Sequence, residues 1–439
     1  MFYLFIIFFI FCIAKVSSLQ VHHSIKSNIM SIVSTNAPKR VPVLPRTMLV
    51  AYTTNHCKDL NDMDKVTKAV QDGVNVLIWS FIFFEVVDDE HEHGGNKDNY
   101  TKPEQAEDIG NSGQKLRIKV SQNIENYIKY KEYLTSIGYG NVVHLVAFGG
   151  WNGPHLPSGF SGDELYRKFK EVNTQSCLDK EKKFDASNDD DVIPIGDTLW
   201  DGMDWDIEGH DIIKHPNNEF TKECLDQMGQ FSQLAKQDGL IVSMAPPESY
   251  LDTTTSKFSR FVNLTYPDDA WHQDFEYHGW NVYAYILAKY GAFIDFVFLQ
   301  FYESYSHALY QTERIGITPS DFLKDYIMHL SKNNFSYMVD FKDDSTVELE
   351  NQVVQIPLSK LVFGFANGWS LNSEKAIFFH PSEIKKAYHD LRNVDLAPRG
   401  CGYWVVEEEG SHGVDFTKEL SDILFNHNIS SKYDIKSSS

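Results

Sequence analysis

The chain has 439 residues, with 61 acidic against 40 basic side chains, a formal net charge of −21, 42% hydrophobic and 14% aromatic content. That hydrophobic share excludes a wholly disordered chain. The acidic surplus argues against nucleic acid and against a surface held to anionic lipid, both of which need clustered Lys and Arg. The length admits one large α/β barrel with insertions or two ordinary domains.

Phe2–Ala14 is a run of thirteen apolar or aromatic residues, short of the about 20 that a spanning helix needs. Val16-Ser17-Ser18 offers slim residues before a cut after Ser18, so residues 1–18 read as a secretory signal peptide, with an uncleaved membrane anchor as the alternative. The expected product is a secreted monomer, free of membrane once the signal is cleaved. Cleavage leaves Cys57, Cys177, Cys224 and Cys401. Four cysteines in an exported chain suit two disulfides, and Cys177 with Cys224 is the favoured pair. No CxxC spacing points to zinc. N-x-Ser/Thr sequons begin at Asn99, Asn263, Asn334 and Asn428, as suits an exported chain.

After a polar lead-in over residues 19–45, one pattern recurs through residues 46–428: a short β-branched or aromatic run, a loop, then a helix-like stretch. The runs are Met48–Tyr52, Val74–Ser80, Val142–Phe148, Met203–Glu208, Leu240–Met244, Ile294–Phe301, Leu361–Ala366 and Gly402–Val406. Amphipathic candidates between them include Met63–Gln71, Ile124–Leu134, Glu219–Lys236 and Ser382–Leu391. Short apolar strands alternating with helices indicate a parallel sheet. Eight such units predict a closed (β/α)8 TIM barrel with loop insertions. An open doubly wound sheet would need a Gly-rich phosphate loop after its first strand, and none follows Tyr52. Asp88–Gln114 and Val172–Gly196 read as solvated loop insertions, and residues 429–439 as a polar tail. The cluster Glu90-His91-Glu92-His93 reads as an exposed loop rather than a metal site. Glu407-Glu408-Glu409 reads as a solvated turn.

The sharpest signal is Asp201-Gly202-Met203-Asp204-Trp205-Asp206-Ile207-Glu208. Strand alternation puts Asp204, Asp206 and Glu208 on one face and Met203, Trp205 and Ile207 on the other. The apolar face belongs against the helices, so the acids must point into the barrel, about 6–7 Å apart along the strand. Such packing is costly unless protons are shared. Glu208 then lies at the C-terminal strand end, where barrel active sites form, with Asp206 and Asp204 behind it to keep it protonated. A carboxylic acid held in that state can protonate a glycosidic oxygen.

Asp201-Gly-Met-Asp204-Trp-Asp206-Ile-Glu208 resembles the signature of the family 18 glycoside hydrolases, the chitinases and their relatives. Ala147-Phe148-Gly149-Gly150 resembles that family's Ser-x-Gly-Gly element, Met244-Ala245-Pro246 its fifth strand end, Gln300-Phe301-Tyr302 its Gln-Phe-Tyr element, and Trp404 its floor tryptophan. The resemblance implies a catalytic set of Glu208, Asp206, Asp204 and Tyr302. It also implies a substrate-binding set of Trp404, Gln300, Met244, Asp201 and Gly150, with loop residues Trp151 and Trp369 as further sugar contacts. It implies substrate-assisted, retaining hydrolysis of β-1,4 links in chitin or N-acetylglucosamine oligosaccharides, with no metal and no cofactor. An endo-β-N-acetylglucosaminidase acting on N-glycan cores and a non-catalytic chitin-binding lectin of the same fold are the alternatives. One departure stands out: the family's Ser is Ala147 here, which removes one hydroxyl partner for the buried acids. A water or a neighbouring hydroxyl would have to replace it.

Overall fold

A computed structural model describes residues 43–88, 114–175, 198–212, 214–262, 280–303, 306–373 and 376–426. The N-terminal apolar run, the Glu90–His93 cluster, Cys177, the polar tail and the sequons at Asn99, Asn263 and Asn428 lie outside these residues.

Eleven strands occur among them: β1 Met48–Thr53, β2 Val76–Asp88, β3 Gln114–Val120, β4 Val143–Gly150, β5 Gly202–Ile207, β6 Ile241–Met244, β7 Phe296–Gln300, β8 Ser336–Val339, β9 Gln352–Gln355, β10 Leu361–Ala366 and β11 Gly400–Trp404. Eight of them pair side by side, in the order β1-β2-β4-β5-β6-β7-β10-β11, and β11 returns to β1. Every pairing in this ring is parallel. The sheet is therefore a closed (β/α)8 barrel, as the eight apolar runs predict.

Alternation along the strands separates two cores. Val50, Ile78, Leu145, Ala147, Phe296 and Phe298 fill the barrel interior. Leu49, Leu77, Val146, Met203, Trp205 and Leu299 face the helices. The helix starts are built as their sequences dictate. Asn123, Thr221 and Thr318 each accept a backbone N–H of the first turn, and Pro319 follows Thr318 at the first helical position.

The structure corrects four expectations. First, β2 runs on to Asp88 and pairs antiparallel with β3, so the 88–114 insertion leaves the barrel through a hairpin. The added arm of β2 over residues 81–87 is itself mostly apolar, and Ile82 and Phe84 on it are buried. Second, Val172 belongs to the helix Gly162–Gln175, so helix rather than loop opens the second insertion. Third, Cys57, Cys224 and Cys401 are buried free thiols, so Cys224 is not bridged to Cys177. Cys224 sits in the first turn of the helix Lys222–Gln237 with its side chain in the core. Fourth, Glu407 and Glu409 are anchors rather than solvated charges. Glu407 accepts hydrogen bonds from Thr53 Oγ1 at 2.6 Å and Thr54 N at 3.0 Å. Glu409 accepts from Thr417 N at 2.9 Å.

Candidate active site at the C-terminal end of the barrel

Three acids rise along β5 and its exit, Asp204 fully buried, Asp206 3% and Glu208 5% exposed. The close approach they need comes from β4. Gly149 has φ +106°, and a Cβ there would stand 2.4 Å from the carbonyl oxygen of Asp206, so only glycine lets the two strands meet. Gly150, at φ +85°, leaves room for the Phe81 ring, which a Cβ would meet at 2.5 Å.

Each acid has a distinct environment. Asp204 Oδ1 accepts from Ser243 Oγ at 2.5 Å and Oδ2 from Tyr52 OH at 2.8 Å. Burial lifts its carboxyl to about 6, and the two hydroxyls hold it from rising further. Asp206 Oδ1 accepts from Gln300 Nε2 at 2.9 Å, and the same amide nitrogen reaches the Ala245 carbonyl at 2.6 Å. Burial first, then the charges of Glu208 and Asp204 and a hydrogen bond to Glu208, push Asp206 well above the usual carboxylate range. With Glu208 and Asp204 this close, ionising a second carboxyl beside the first is costly. Glu303 joins the group: burial and the charge of Glu208 push it, too, well above its ordinary value. Tyr302 is 5% exposed, and burial followed by Glu303 and Asp206 raises its phenol, which keeps it an O–H donor.

Aromatic rings close the other side. The partly exposed Trp404, on β11 across the barrel from β5, packs against Tyr52 at 5.6 Å and Phe81 at 5.8 Å between ring centroids. Trp369 donates its indole N–H to the Trp404 carbonyl at 2.9 Å and stands perpendicular to Tyr302. Trp151 donates to Asp211 Oδ1 at 2.8 Å and covers Gly209.

Glu208, Asp206, Asp204, Tyr302, Gln300, Trp404, Trp369 and Gly150 thus converge, with Trp151 on the rim. Two expected residues do not join them. Met244 is fully buried in the helix-facing layer; on β6 it is the neighbouring Ser243 that points inwards. Asp201 lies at the opposite, N-terminal end of β5, where its carboxylate accepts the His144 backbone N–H at 2.8 Å and fixes β4 against β5. Among the aromatic residues after β6, Tyr250, Phe258 and Trp280 pack inside. Sequence reasoning missed Glu303, Tyr52, Ser243 and Phe81. Glu303 was hidden by parity: β7 ends at Gln300, and alternation no longer assigns faces beyond a strand end.

Ser243 answers the departure at position 147. Ala147 and Ser243 flank Asp204 in register from the two neighbouring strands, so a hydroxyl reaches the acid from β6 where β4 offers only a methyl group. Ser243→Ala should cost about 1.5–3 kcal/mol of stability, and adding Ala147→Ser should restore most of it. Urea unfolding of the single and double variants checks this; a non-additive gain is the expected sign.

Among the described residues no cluster of three or more His, Cys, Asp or Glu side chains could hold a metal ion, and no helix is long and apolar enough to cross a membrane. No protein-family model and no curated protein sequence matches the chain. Solved structures do resemble it. A fungal endo-beta-N-acetylglucosaminidase from glycosyl hydrolase family 18 is 12% identical, with 88% of this chain and 100% of that chain covered at a TM-score of 0.48. Active domain 2 of a thermostable chitinase from Pyrococcus furiosus, complexed with chito-oligosaccharides, is 9% identical over 90% of this chain and 100% of that one, with a TM-score of 0.46. Concanavalin B is 14% identical over 86% and 98%, with a TM-score of 0.41.

Proposed function

We propose that the protein is a chitinase-type glycoside hydrolase that cleaves β-1,4 links between N-acetylglucosamine units, with Glu208 as acid and base. The observation that carries this reading is the row of buried carboxyls Asp204, Asp206 and Glu208 at the mouth of a barrel, facing an aromatic floor. Glu208 gives its proton to the leaving oxygen as the glycosidic bond breaks. The substrate's own acetamide oxygen takes the anomeric carbon and forms a cyclic oxazolinium ion, with Asp206 against the acetamide N–H and the Tyr302 hydroxyl at its oxygen. A water then attacks the same carbon from the vacated side and gives its proton to Glu208, so configuration is retained. Asp204 and Glu303 add carboxyls that make a second ionisation beside Glu208 expensive. Trp404 offers a flat apolar face to the sugar ring. The site's aromatic and carboxyl lining suits an uncharged sugar.

The test is release of a fluorescent leaving group from umbelliferyl chito-oligosaccharides, run beside N-glycan cores. Turnover of the cores alone would leave the chemistry and replace the substrate; binding of chitin without turnover from pH 4 to 8 would replace the enzyme by a lectin.

Export through the N-terminal apolar run is part of the proposal and has its own readout. Asn334, in Asn334-Phe335-Ser336, is exposed in the turn before β8 with φ +53°. Made in a eukaryotic secretory host, the protein should begin after Ser18 and carry an enzymatically removable glycan on Asn334 that Asn334→Gln abolishes. Intact-mass spectrometry reads both; an unmodified Asn334 in secreted material contradicts the prediction.

A further inference from the structure

The peptide groups that follow β5 leave the strand ladder, and side chains from several loops take them up. The Ile207 carbonyl accepts from Tyr283 OH at 2.9 Å, and the Gly209 N–H donates to Tyr250 OH at 3.1 Å. The His210 N–H donates to Asn218 Oδ1 at 2.7 Å. Between them, the carbonyl of Glu208 itself lies 2.8 Å from His155 Nε2. We propose that His155 is a positioning residue for Glu208, donating Nε2–H as a neutral imidazole to the Glu208 carbonyl and so fixing the direction in which the carboxyl leaves the strand. The inference rests on the reading of Glu208 as the acid.

Three observations support it. A carbonyl oxygen can only accept, so the ring nitrogen facing it must carry the hydrogen, which settles the tautomer. The ring is held from the other side by Phe220, 4.6 Å away between centroids. Burial outweighs the upward pull of the Glu208 carbonyl and, with a smaller push from neighbouring His215, brings His155 down to about 4, so the ring is uncharged at mildly acidic and neutral pH. Neutrality is what the position requires. A Lys or Arg donor there would set a permanent positive charge beside Glu208 and favour loss of the proton that the acid must hold. Tyr283, Tyr250 and Asn218 are at most 1% exposed, and truncating any of them would open the core. His155 is half-buried on the rim and can be replaced without that damage.

The experiment compares wild type, His155→Phe and His155→Gln on umbelliferyl chitotrioside, with thermal unfolding alongside. Phe keeps the packing on Phe220 and removes the donor; Gln keeps a neutral N–H at similar reach. His155→Phe should lose about tenfold in kcat, as for one lost orienting hydrogen bond, with KM changed less than twofold and the melting temperature kept. His155→Gln should recover most of kcat. Equal kcat in wild type and His155→Phe would overturn the inference while the hydrolase reading stands. Equal losses in Phe and Gln variants would overturn it in favour of plain packing. An inactive wild type would instead remove the reading on which it rests.

Discussion

Glu208→Gln should lower turnover of umbelliferyl chitotrioside by about 10²–10⁴-fold, the range that a positioned acid contributes, while binding of the oligosaccharide persists. The amide has the size of the carboxyl and no proton to give. Its effect on the neighbours is also readable. Burial and the charge of Glu208 hold Asp206 and Glu303 above their ordinary values; a neutral Gln removes that charge, so both should ionise at lower pH in the variant. Loss of kcat with an intact fold and a retained Kd is the expected result. Equal turnover in the two proteins would show that another carboxyl is the acid, and Glu303 would be the one to replace next.

The barrel was legible because each strand is buried on both faces, which writes an apolar run that no loop imitates. All eight runs became barrel strands, with ends shifted by a few residues except at β2, which runs on from Ser80 to Asp88. The carboxylates on β5 were legible for a related reason: period-two alternation of acid and apolar residues has one solution inside a barrel. What escaped was everything that depends on other strands. Tyr52 and Ser243 are an ordinary tyrosine and serine until register brings β1 and β6 to Asp204. Asp201 has the same residue type as Asp204 and stands three positions away, yet it ends at the other rim. Met244 was misplaced by one residue of parity, which on a strand is the difference between the site and the helix layer. The signature as a string of letters could not separate these roles; the register does.

The same geometry shows why the acids can be tolerated at all. Asp204 is held by two hydroxyls, and Asp206 by an amide and by the carboxyl of Glu208, so both buried aspartates have hydrogen-bond partners. None of these donors carries a charge. A Lys or Arg beside these acids would hold Glu208 ionised, and in the proposed reaction an ionised Glu208 has no proton to give. On the proposed reading, burying these acids without a counter-cation is what keeps a proton available to Glu208.

A second buried acid lets that cost be measured away from the reaction. Glu248, 2% exposed in the turn after β6, accepts the Ala308 N–H at 3.3 Å beside the pair made by His307 and Asp252, whose atoms lie 3.1 Å apart. Burial lifts Glu248 to about 7; His307 opposes the rise and Asp252 adds to it. The folded chain therefore keeps a proton on Glu248 that the unfolded chain releases above about pH 4.5. With more protons bound in the folded state, stability falls as pH rises between those two values. At pH 4 the carboxyl is largely protonated in both the folded and the unfolded chain and Gln mimics it, so Glu248→Gln and wild type should unfold at nearly the same urea concentration. By pH 7.5 the variant should gain about 2 kcal/mol relative to wild type, since each tenfold difference in proton affinity between the folded and unfolded chains is worth about 1.4 kcal/mol. Taking the difference between the two proteins cancels the titrating groups that do not touch Glu248, including His155, whose lowered value pulls stability the opposite way between about pH 4 and 6.5. A gap that stays constant from pH 4 to 7.5 would show that Glu248 ionises as freely in the folded chain as in the unfolded one.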